Sequence, residues 1–95
     1  MKGYWIATYK KIDNSGKLKE YAEKATPIIK EFGGKPIIRG GKYHLIDGDE
    51  FIRTVVIEFS SFNQAKKFFY SSEYQVAHDL LKDTVVRHHQ IIEGS

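Results

Sequence analysis

Cysteine is absent from the 95 residues of this chain, and with it go disulfides, thiolate zinc sites, iron–sulfur clusters and cysteine nucleophiles. Long apolar runs are absent too: nothing approaches the roughly twenty residues a helix needs to cross a bilayer. The opening stretch MKGYWIATY lacks the extended apolar segment and small-residue cleavage site of a secretory signal, so a cytoplasmic protein is expected. Arginine is scarce, three residues against twelve lysines, and the net charge is only +3. Most lysines interleave with glutamates along one helical segment, as on a solvated face. The only basic pairs are Lys10-Lys11 and Lys66-Lys67. Nucleic-acid binders gather their basic groups into a patch or stripe, so neither a nucleic acid nor a membrane is an expected partner.

What is present is ordinary for a folded protein: 41% hydrophobic and 28% charged residues, a balance that excludes disorder. The length fits one domain spanning residues 1–95, small enough that a partner subunit is expected to help bury its surface. Tyr4 to Tyr9 reads as a strand. From Lys17 the apolar positions Leu18, Tyr21, Ala22, Ala25, Ile28, Ile29 and Phe32 recur at three and four, forming a helical stripe through Pro27 that Gly33-Gly34 ends. Lys19/Glu23 and Glu20/Lys24 are expected to pair on its outer side. Lys35 to Arg39 is a second strand, which Tyr43 to Ile46 is expected to continue into a hairpin turn at Asp47-Gly48. Arg53 to Phe59 returns as a third strand. Ser61 with Gln64, and Ser72 with Gln75, have capping-box spacing, which predicts a second helical region in two pieces. Thr84 to Glu93 closes the chain as a fourth strand.

The order β-α-β-β-α-β predicts an α+β, ferredoxin-like fold: four antiparallel strands with the helices on one face. The strands do not alternate cleanly between apolar and polar, so something must cover the second face. A second copy packed about a two-fold axis is the simplest cover, giving a homodimeric α+β barrel.

The run KYHLIDGDEFIRTVVIEFSSFNQAKKFFYSSEYQVAHDL, with FGGKPIIRGG before it and HHQIIEG after it, resembles the DUF1330 family of small dimeric α+β barrel proteins. The likeness covers almost the whole chain. It implies a ferredoxin-like fold and a homodimer, and little about chemistry. Proteins of dimeric α+β barrel architecture include cofactor-independent oxygenases and muconolactone-type isomerases, an analogy of fold alone.

Arg39, Gly40 and Gly41 match the Arg-Gly-Gly of that family. The glycines can bend the strand while Arg39 offers a forked donor to a carboxylate or enolate; equally, Arg39 can sit on a β-bulge and pair with Glu58. Glu58, within the most apolar strand, needs a partner, and can act as a general base or complete an ion pair with Arg39 or Arg53. His88 and His89 are adjacent on a strand and point to opposite faces, which excludes their joint chelation of a metal. His89 is a candidate acid or base, with a satisfied structural histidine as the alternative. His44 and His78 read as surface groups. Tyr70 and Tyr74, in the Tyr-Ser-Ser-Glu-Tyr segment, can line the mouth of a pocket, whereas Trp5, Phe62, Phe68 and Phe69 read as core. The expectation is a homodimer with a small-molecule pocket between sheet and helices, catalytic His89 and Glu58, and ligand-binding Arg39, Gly40, Gly41, Tyr70 and Tyr74. No cofactor or metal is implied. The contrasting expectation is a structural or regulatory dimer without substrate, whose polar groups satisfy one another.

Overall fold

Along β1 (Gly3–Ile12) the side chains of Trp5, Ala7 and Tyr9 turn inward, each no more than 2% exposed. Tyr4, Ile6 and Thr8 lie half-buried on the other face, the period of two that a pleated strand imposes. The computed structural model describes all residues, Met1–Ser95. In α1 (Ser15–Glu31) Asn14 caps the first turn, its side-chain oxygen accepting the Lys17 N–H at 3.0 Å. Tyr21, Ala25 and Ile29, spaced at four, are the buried stripe, and the helix runs on through Pro27. On its outer side Lys17 pairs with Glu20 at 3.8 Å, in place of the expected Lys19/Glu23 and Glu20/Lys24 pairs.

β2 (Lys35–Arg39) and β3 (Arg53–Phe59) have the bounds the sequence predicts, and β4 (Val85–Glu93) begins one residue later. The four form one antiparallel sheet in the order β2-β3-β1-β4, a ferredoxin-like fold. Both helical regions pack on the face of Trp5, Ala7 and Tyr9. No helix is long and apolar enough to cross a membrane.

The predicted continuation of β2 is not formed. Gly40 and Gly41 both adopt positive φ, +72° and +93°, which turns the chain out of the sheet, so Tyr43 to Ile46 have no strand partner and 40–52 is a loop. Gly48 is also at positive φ, but it bends this loop and closes no two-residue hairpin. Instead the Ile52 N–H donates to the Tyr9 carbonyl at 2.7 Å, the Tyr43 hydroxyl to Glu50 at 2.8 Å, and Lys10 to Asp49 at 3.4 Å.

The second helical region is two pieces, α2 (Phe62–Phe69) and α3 (Ser72–Asp79). Ser61 caps α2, accepting the Gln64 N–H at 3.0 Å. The cap of α3 is Ser71, one residue before the expected Ser72: it accepts the Tyr74 N–H at 3.2 Å and donates its hydroxyl to the Phe68 carbonyl at 2.7 Å. One serine thus ties the end of one helix to the start of the next. The two glutamines close no capping box; their amides donate to the Phe32 and Phe69 carbonyls. At the centre of the core, Phe68 is fully buried, stacked on Phe59 at 5.1 Å and edge-on to Trp5 at 5.8 Å. Phe62 and Phe69, expected in the core, are half-buried and border a cavity.

Candidate functional site

β4 supplies the polar floor of the site because its alternation sends Arg87 and His89 toward the helices and His88 and Gln90 the other way. A cavity of about 800 Å³ opens between this edge strand and α2 and α3. Trp5, Phe62, Phe69 and Ile91 form apolar wall; Arg87, His89 and His78 line it with basic groups and Asp79 and Asp83 with carboxylates; Tyr70 and Lys66 stand at its edge.

Arg87 donates from Nη1 to the Tyr9 hydroxyl at 3.0 Å and from Nη2 to Nδ1 of His78 at 2.8 Å. Its guanidinium lies 5.5 Å from the ring centres of Tyr9 and Tyr21, a cation–π arrangement. No carboxylate pairs with it: the ion pairs of the chain are Lys2–Glu58, Lys10–Asp49, Lys11–Asp13 and Lys17–Glu20. Burial works against the charge, but the phenol groups around it offset this and hold the pKa above the ordinary arginine value. A guanidinium has five N–H donors and no acceptor, so the two bonds formed leave donors free for a ligand.

That geometry also fixes His78. Because arginine only donates, Nδ1 of His78 accepts, and the ring is neutral with its proton on Nε2. Burial and then the Arg87 charge lower its pKa, with Asp79 opposing. His89 lies with its ring 5.9 Å from that of His78 and 4.6 Å from Trp5. Burial, followed by the charges of Arg87, His78 and His88, pushes it down to about 3. It too is neutral near pH 7. Nε2 of His89 and Nε1 of Trp5 are buried with no hydrogen-bond partner, an arrangement costly enough to call for an explanation.

The sequence-expected residues are distributed differently. His89 is in the cavity and Tyr70, 70% exposed, is at its edge. Tyr74 is not at the mouth. It is fully buried behind the cavity, its hydroxyl 2.7 Å from that of Tyr21, and burial raises its pKa well above the ordinary phenol value. His78, expected at the surface, borders the cavity. Arg39 and Glu58 form no ion pair. In register, Arg39 faces Val55 and Glu58 faces Lys35 and Tyr4, which puts the two side chains on opposite faces of the sheet. Glu58 meets the Tyr4 hydroxyl at 3.4 Å and Lys2 at 3.8 Å on the helix-free face. Arg39 borders a second cavity on the far side of Trp5, whose lining includes neither Gly40 nor Gly41. Sequence reasoning passed over Arg87. The available signal was its position two residues before His89, which puts both on one face of the strand. No three His, Asp or Glu side chains converge into a group able to hold a metal.

The family model for DUF1330, a domain of unknown function, matches residues 2–95. No curated protein matches the sequence. Among solved structures, a protein of unknown function from Rhodopseudomonas palustris superposes with a TM-score of 0.78 at 12% identity, over 99% of this chain and 82% of that one. A dimeric protein of unknown function and ferredoxin-like fold from Bacteroides fragilis gives 0.63 at 16%, over 98% and 96%. A candidate antibiotic biosynthesis monooxygenase from Caulobacter crescentus gives 0.69 at 10%, over 99% and 90%. At these identities the likeness is one of fold.

Proposed function

The chain belongs to the DUF1330 family, a membership that fixes no chemistry, and from the site itself we propose a homodimeric protein that binds a small carboxylate or enol-type compound beneath β4. The observation that carries this reading is Arg87, which forms no ion pair and keeps N–H donors beyond its two bonds, beside neutral His89 in a cavity of about 800 Å³ whose carboxylates, Asp79 and Asp83, leave it unpaired. That volume holds the carboxylate and keto groups with room for a larger organic body attached to them, so small keto acids serve as minimal probes. Arg87 takes the role the sequence suggested for Arg39, holding the negative charge in a fork. His89 is the proton carrier. An anion on Arg87 neutralises the charge that helps depress both histidines, so ligand binding raises their pKa and makes His89 a better base when substrate is present. The chemistry that fits is proton transfer next to a carbonyl: the C–H proton passes to His89, the enolate charge rests against Arg87, and the proton returns to the same or a neighbouring carbon. No cofactor is needed for such a step.

The assembly is supported by the helix-free face, where Ile38, Val56 and Ile6 lie side by side across three strands, with Ile38 and Ile92 nearly half exposed. The Bacteroides fragilis neighbour is a dimeric protein.

A panel of β-keto acids such as acetoacetate and oxaloacetate tests the site, with binding read by calorimetry and deuterium uptake at the α-carbon read by NMR in heavy water. Arg87→Met should weaken binding about tenfold or more, the loss of roughly 1.5–3 kcal/mol from a charge-assisted hydrogen bond. His89→Gln should retain binding and lose the exchange. Binding that is equal in wild type and Arg87→Met, or absent throughout the panel, overturns the proposal.

A further inference from the structure

A second cavity, of about 330 Å³, lies between α1 and the β2–β3 side of the sheet, separated from the first by Trp5. Its walls are apolar, with Leu18, Ala25, Ile29 and Ile57 among them. Its charged members are Lys30, Lys35, Arg39 and Arg53, and it has no acidic residue at all. None of these four cations takes part in an ion pair or a side-chain hydrogen bond. Cations normally disperse or find carboxylates. Here the strand register turns Arg39 and Arg53 to the α1 side of the sheet and Lys35, opposite Glu58, to the other. The two arginines with Lys30 thus create the field that draws an anion into the recess. Arg53 is also held in place: its guanidinium lies against Gly40, where a Cβ would collide with it, and Gly40 sits at φ +72°. The Arg39-Gly40-Gly41 turn thus brings two arginines to one recess, one from each side of the bend.

We propose that this cavity is a separate binding site for an amphipathic monoanion, a carboxylate with an aliphatic or aromatic body, its head on Arg39 and Arg53 and its tail against α1. At about 30 Å³ for each water-sized group, the volume accommodates a body of about ten non-hydrogen atoms, the size of octanoate. The ligand differs from that of the first site in needing an apolar tail, and the two sites share no charged residue.

Calorimetric titration with octanoate, octanol and acetate tests it. Octanoate should bind, octanol at least tenfold more weakly, and acetate not at this site. Arg39→Met/Arg53→Met should weaken octanoate at least tenfold, and Ala22→Leu, which fills the recess without touching a cation, should do the same should the double variant fold poorly. Octanoate binding should survive Arg87→Met. Octanol binding as tightly as octanoate, undiminished affinity in the double variant and in Ala22→Leu, or octanoate binding that disappears with Arg87→Met overturns the assignment. The last outcome would move the ligand to the first cavity and leave that reading standing.

Discussion

His89 makes stability depend on pH in a direction that can be worked out. Its pKa is about 3 in the folded chain against an ordinary 6.5. Between those values the unfolded chain binds a proton that the folded one refuses, so stability is full above pH 6.5 and falls as pH drops through the window, by a few kcal/mol at most. Thermal denaturation at intervals from pH 7 to pH 4 should give a falling Tm in wild type and a flatter profile in His89→Gln; identical slopes would mean the histidine is not buried as described. That Arg87 drives part of this depression was not legible from sequence. The alternation of β4 tells which face a side chain takes. What receives it depends on Tyr9, Tyr21 and His78, brought from three other elements by the fold.

Between elements, the Tyr21–Tyr74 hydroxyl pair joins α1 to α3 in the interior. Removing one hydroxyl strands the other, so Tyr74→Phe should cost about 1–3 kcal/mol, whereas the Tyr21→Phe/Tyr74→Phe pair should lie much closer to wild type. Chemical denaturation of the two single variants and the double closes the cycle, and simple additivity would mean the bond contributes nothing. In the 40–52 loop, Gly40→Ala meets both a positive φ and the Arg53 guanidinium; the expected loss is about 1–3 kcal/mol, read in the same denaturation assay. Here sequence pattern served well for regular elements and poorly for this loop. Lys35–Arg39 and Arg53–Phe59 carry their own β-forming residues and were correctly bounded. The Tyr43 to Ile46 run looks just as strand-like, but two consecutive left-handed glycines take it away from any neighbour, and composition does not encode the absence of a partner.

For the molecule as a whole, the sheet has one face committed to the helices and one carrying Ile6, Val56, Ile38 and Ile92 outward. A second copy seated there would make Ile6→Glu fatal to assembly and mild for the fold. Sedimentation velocity should find wild type as a dimer and the variant as a monomer of near-native circular dichroism; an unaltered dimer would place the contact elsewhere. The failure of the strands to alternate cleanly was the sequence-level sign of this face, and it needed no knowledge of tertiary contacts because it follows from period alone.

Trp5 is the sole tryptophan, and it borders both cavities with its ring 4.6 Å from that of His89. Excited indole loses its emission to a nearby protonated imidazole far more readily than to a neutral one. The chain therefore contains its own optical reporter: a ligand that raises the pKa of His89 should dim the fluorescence in a pH-dependent way, while one that fills the recess beside α1 should shift its colour at every pH.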